Sequence, residues 1–139
     1  MDLTCEPLPV FDLMIVRECL LHFSFSDIRR FQANFAESEV RYLLTTTHKT
    51  DREFVNQDIS TGDYRLINIF DDPINFPETC IHRFDDHIPG AFPREMCLFD
   101  GALLRKRFKN LSTEVLSPMD GVASAGSSTL PLGPPPSSA

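Results

Sequence analysis

Residues 11–16, FDLMIV, carry a single charge and no strict alternation of apolar and polar positions. Such a run suits a strand buried on both faces of a parallel sheet. Two adjacent charges, Arg17 and Glu18, close it, and a short apolar run, LLHF (residues 20–23), follows with His22 inside it. The period then changes. In SFSDIRRFQANFAES, Ile28, Phe31 and Phe35 fall three and four residues apart, on one stripe of a helix. Ser24 or Ser26 supplies an oxygen for the helix's first unpaired N–H groups, and Asp27 stands near its positive end. Arg29, Arg30 and Gln32 are expected to face away. VRYLLTTT, β-branched and aromatic, predicts a second strand. Strand, helix and strand with short joins predict a right-handed βαβ unit.

After His48 the periodicity stops. Residues 49–77 are polar and are broken by Gly62, Pro73 and Pro77, yet dotted with Phe, Ile and Tyr. A structured loop is expected, and ordered loops of this length are usually functional. TCIHRF and REMCLFDGALL read as strands, and the turn-rich DDHIPGAFP between them predicts an antiparallel pair. Composition breaks near Ser112. Residues 112–139 include seven Ser, five Pro and three Gly, with no Lys, Arg or aromatic residue. Too little apolar surface is available there to offset chain entropy. The expected organisation is a folded portion over residues 1–111 and a disordered tail over 112–139, whose PLGPPP is a weak polyproline signal.

The totals narrow the function classes. At 139 residues the chain holds one domain at most. A formal charge of −7, with no basic run longer than RKR at residues 105–107, disfavours nucleic acid as the main partner. No apolar run approaches the ~20 residues of a membrane span, and the first residues lack the charged start and long apolar core of a signal peptide. Cys5, Cys19, Cys80 and Cys97 are widely spaced, which reads as reduced thiols of an intracellular, cytoplasmic protein. HRFDDH (residues 82–87) offers two histidines and two carboxylates, but in no strong zinc spacing, and no metal site is expected.

Taken in order, these segments resemble a group of class I S-adenosylmethionine-dependent methyltransferases. The features are Asp2 and PLP (residues 7–9), RE at Arg17 and Glu18, LLHF, YLLTTT (residues 42–47), DISTGDYRLINI (58–69), DPINFP (72–77) and REMCLFDGALL. The likeness covers about residues 2–104. Glu18 stands where the group usually has Asp, Tyr64 where it has Trp, and Phe99 where Trp is common. No G-x-G occurs, so the Gly-rich cofactor loop and the acidic end of the second strand would lie before Met1.

The resemblance implies a partial Rossmann-like methyltransferase sheet: strand, helix, strand, a long loop and a C-terminal antiparallel pair. It implies S-adenosyl-L-methionine as cofactor, contacted by Asp2 at the adenine and by Arg17 and Glu18 at the methionine portion. Glu18 and His22 are the candidate catalytic residues; Thr47, His48, Tyr64, Arg65 and Asn68 are the candidate acceptor contacts. The acceptor is unnamed, a small molecule or protein rather than nucleic acid. The isolated chain is expected to be inactive. In such a sheet the run 11–16 would be an unpaired edge, which predicts self-association, or a non-catalytic interaction protein as the alternative.

Overall fold

Two strand pairs and a crossover helix build the core of the computed structural model, which describes residues 1–126, with side chains through residue 114. Leu13–Val16 (β1) and Tyr42–His48 (β2) run parallel, Leu13 opposite Tyr42 and Val16 opposite Thr45. A parallel neighbour cannot be reached through a tight turn, and the helix Phe25–Ala36 (α1) makes the crossover. Of the two candidate caps it is Ser24 that accepts from the Asp27 N–H, and Asp27 lies in the first turn as expected. His82–Asp85 (β3) and Arg94–Asp100 (β4) form the expected antiparallel pair. β4 also pairs antiparallel with β2, giving the order β1-β2-β4-β3. The helix Gly101–Gly126 (α2) follows β4 directly.

One face of the sheet is covered. Met14, Leu43 and Phe99 share a row across β1, β2 and β4. Phe76 of the long loop packs on Phe99 at 5.3 Å, Phe108 of α2 on Phe76 at 5.1 Å, and Phe35 of α1 on Phe108 at 5.9 Å. The opposite face is different. Leu13 and Ile15 are 46% and 59% exposed, and Leu44 and Leu98 beside Ile15 are only half-buried. The expectation of a β1 buried on both faces is therefore corrected. Its side chains alternate between buried and exposed, because on the Ile15 face the described elements cover only the far end, where Thr46, Met96, His48 and Arg94 are buried, and leave the β1 end open. Among the described residues β1 is an edge strand, as the resemblance implies.

Residues 49–81 contain neither helix nor strand, yet they are fixed. Ile67, Ile69, Ile74 and Phe76 are buried. The Asn56 side chain donates to the carbonyls of Asn68 (2.9 Å), Asp72 (3.0 Å) and Asp71 (3.5 Å), and its Oδ1 accepts from the Asn68 N–H. Gln32 is buried, against the outward position expected for it. Its Nε2 donates to the Ile74 carbonyl at 2.7 Å, so helix α1 satisfies a loop acceptor that no ladder reaches.

The last predicted strand is also shorter than its sequence suggests. REMCLFD is strand, but Gly101 opens a helix, with Asp100 Oδ2 accepting from the Leu103 N–H at 3.3 Å. β3 begins only at His82 and extends to Asp85. The chain divides into two units at Phe108, and of the second the structure describes residues 109–126. In the second unit the helix continues to Gly126, past the composition step at residue 112, and Thr113 Oγ1 donates to the Lys109 carbonyl at 3.2 Å. The remainder of the expected tail, with PLGPPP, lies outside the described residues. Among the described residues no helix is long and apolar enough to cross a membrane.

Candidate functional site

The carboxyl ends of the parallel strands are where open α/β sheets hold ligands. There the chain leaves β1 as Arg17 and Glu18. Glu18 adopts a left-handed φ of 52°, uncommon for a residue with a Cβ, and its N–H donates to Thr46 Oγ1 at 2.9 Å. Arg17 and Glu18 pair at 3.3 Å, and this pair is one side of a larger ring. Arg17 grips Asp86 with two bonds, of 3.0 and 3.1 Å. Arg94 Nε donates to the Asp86 carbonyl at 3.0 Å and lies 3.3 Å from its carboxylate, while Arg94 Nη1 reaches Glu18 Oε1 at 2.9 Å. Two arginines and two carboxylates thus alternate around a closed circuit. Hydrogen bonds from Arg17 hold the Asp86 carboxyl below its ordinary range, and the same pairing raises the Arg17 guanidinium. Arg94 is 6% exposed, and its Nη2 has no hydrogen-bond partner among the described residues.

His48 stands directly opposite Arg94 in the β2–β4 register. It is buried, and its Nδ1 accepts from the Ile67 N–H at 3.0 Å, so the neutral ring carries its proton on Nε2. Burial pushes its pKa below the ordinary value, and the Arg94 charge acts in the same direction. Two exposed rings meet it nearly edge-on: Tyr64 at 6.4 Å and Phe92 at 5.8 Å.

Stability is expected to decline as pH falls below 6.5, the ordinary histidine value. The unfolded chain takes up a proton there that folded His48 refuses, so the stabilisation present above that pH is lost through the lower folded value. His48→Gln retains an acceptor for Ile67 and does not titrate. Urea denaturation between pH 5 and 7 should show a flatter slope in the variant; an identical slope would assign the dependence to other groups.

The other sequence candidates are engaged elsewhere. His22 ends a 3-10 turn, Leu20–His22, and its ring Nδ1 bonds the Asp63 carbonyl at 2.8 Å, towards the loop rather than towards Glu18. Tyr64 lies 5.8 Å from that ring. Thr47 is buried, with Oγ1 accepting from the Ile69 N–H at 3.1 Å. Asn68 donates to Thr50 Oγ1 and accepts from the Phe70 N–H, inside its own loop. Arg65 is a buried strut. Its Nη1 donates to the Phe23 carbonyl at 2.7 Å, it stacks on Phe25 at 5.4 Å, and burial lowers its pKa. Asp2 is exposed and accepts from the N–H and hydroxyl of Thr4, which hold its carboxyl below the ordinary value. Asp85 and Asp86 of HRFDDH pair with Lys49 and with the arginines. Among the described residues no group of three or more His, Cys, Asp or Glu is arranged to hold a metal.

Nothing local in the sequence marks Arg94 and Phe92. Only the register across from His48 singles out Arg94, and registers between distant strands leave no local signal.

The fold so defined is mixed α/β: a four-stranded mixed sheet, a crossover helix and a C-terminal helix. Comparison of the chain with protein-family models, with curated proteins and with solved structures found no match.

Proposed function

We propose that this chain is the C-terminal portion of a class I S-adenosylmethionine-dependent methyltransferase domain, with a partial Rossmann-like sheet, and that alone it does not transfer methyl groups. The observation that carries the reading is the gathering of Arg17, Glu18 and His48 at the carboxyl ends of β1 and β2, on segments that bear the resemblance. A parallel pair with a helical crossover, flanked by an antiparallel last strand, is compatible with that part of such a sheet. The acceptor is a small molecule or protein, since a −7 chain is poorly suited to phosphate backbones. Four free cysteines agree with a reducing, cytoplasmic setting.

Methyl transfer from a sulfonium asks the protein chiefly for positioning, and for a base only where the acceptor must lose a proton. The residues present fit the cofactor in part. Glu18 is partly exposed and Arg17 lies beside it, the charge types that suit an ammonium and a carboxylate, but both Glu18 oxygens and all three Arg17 nitrogens are held within the ring, so binding would have to displace one of those pairs. No G-x-G turn exists for close backbone approach. Calorimetric titration with S-adenosylmethionine is therefore expected to give no micromolar binding; a micromolar Kd would overturn the claim that this chain alone does not hold the cofactor tightly. The coding DNA ahead of Met1 tests the family reading: an in-frame strand and Gly-rich turn supports it, and a closed frame favours the alternative.

That alternative is a non-catalytic protein associating through β1, favoured by the exposure of Leu13 and Ile15 on an unpaired edge. Sedimentation should show self-association that Ile15→Lys abolishes. A monodisperse monomer at high concentration would count against it.

A further inference from the structure

The geometry points to Arg94 and His48 as a paired donor site for a carboxylate carried on an apolar ring, with Tyr64 and Phe92 as its walls. This deepens the proposed function and rests on it for the idea that a methyl acceptor enters here; as a binding site it stands on its own observations.

The first observation is the buried guanidinium. Nε and Nη1 of Arg94 are bonded to Asp86 and Glu18, while Nη2 has neither partner nor solvent among the described residues. An orphaned buried donor costs about 1–3 kcal/mol; Arg65 Nε and Nη2 share that condition, and what distinguishes Arg94 is a second free donor across the sheet from it. The second is the position of His48. It faces Arg94 across an antiparallel pair, so both side chains rise from the same side of the sheet, with Cβ atoms about 5 Å apart. Its Nδ1 is fixed as an acceptor by Ile67, which leaves Nε2–H as a donor that no described group takes.

Both free groups donate and neither accepts. The complementary ligand group must therefore offer lone pairs, and a carboxylate offers two oxygens together with the charge that suits Arg94. An ammonium would meet donors. Glu18 does not repel the incoming group at full strength, because Arg94 binds one of its oxygens and Arg17 the other. The walls specify the rest of the ligand. Tyr64 and Phe92 are 58% and 42% exposed, and each presents its ring against His48. Exposed rings beside a buried polar pair are suited to stacking a planar apolar body. Nη2 is shielded from solvent, so a ligand reaches it only with local opening around Arg94.

Benzoate is the probe, titrated into the full chain without cofactor and followed by the NMR signals of the His48 ring and the Arg94 guanidinium. Benzoate should shift both saturably. Acetate should bind about a hundredfold more weakly, the worth of two ring contacts. Benzylamine should leave both signals unmoved. Tyr64→Ala, at an exposed position, should cost benzoate about tenfold and leave acetate unchanged. Arg94→Lys should weaken both anions. Benzylamine shifting the signals as strongly as benzoate, or benzoate shifting neither in the folded chain, would overturn the assignment. Because cofactor is absent, a failure here leaves the methyltransferase reading to its own titration, and a failure there leaves this site standing.

Discussion

Gly101→Ala is expected to lower stability by about 3 kcal/mol or more, enough to unfold much of a marginal domain. A Cβ at this position would sit on the Val40 carbonyl oxygen and 2.8 Å from that of Arg41. Both obstacles are backbone, and neither can move freely. The Gly101 N–H donates to the Arg41 carbonyl at 2.7 Å, and Arg105 Nη1 takes the Val40 carbonyl at 2.7 Å. The start of α2 is thus pinned against the entry to β2, at a crossing only glycine permits. Gly62→Ala is the control. Gly62 has φ 107° but nothing within 4 Å of an added methyl, so its cost is conformational, about 1 kcal/mol. Urea denaturation of both variants measures the contrast. Equal midpoints would mean that the two segments do not cross this closely.

Asn56→Asp should be comparably damaging, at about 3 kcal/mol. The amide nitrogen of Asn56 serves three loop carbonyls, and the substitution turns that donor into an anionic acceptor facing them at a buried position. Asn56→Ala removes the same bonds without adding charge and should cost less. Amide hydrogen exchange localises the effect: the N–H groups of Asn68 and Ile69 should lose protection before those of β2 and β4. Uniform loss across the sheet would argue that the loop does not unfold as its own unit.

What could be read from sequence follows the range of the forces involved. Helix α1 was legible, with its cap narrowed to Ser24 or Ser26, because Asp27, Ile28, Phe31 and Phe35 act within a few turns of one another. The β3–β4 pair was legible from its turn-rich connection. Whether Ile15 is buried was not legible, since that depends on which side of the sheet the helices and loop choose. Gln32 has the look of a surface residue until a carbonyl 42 positions away is brought to it. The site divides in the same way. Arg17, Glu18 and His48 were legible because strand ends converge in any such sheet. Thr47 and Asn68 were candidates by position, but a long loop without a ladder must satisfy its own backbone, and their side chains serve that need. Arg94 and Phe92 act from a strand and a turn whose proximity to β2 no local pattern announces.

The two borders of the sheet differ in chemistry. At β3, Arg83 and Asp85 are tied to Glu95 and Lys49, and charge discourages another strand from docking. At β1 the sequence is LMIV, with no charge inside the strand. The sheet therefore has a direction of growth. A strand from another polypeptide is expected to add at β1 rather than at β3, so that the sheet is extended from one border.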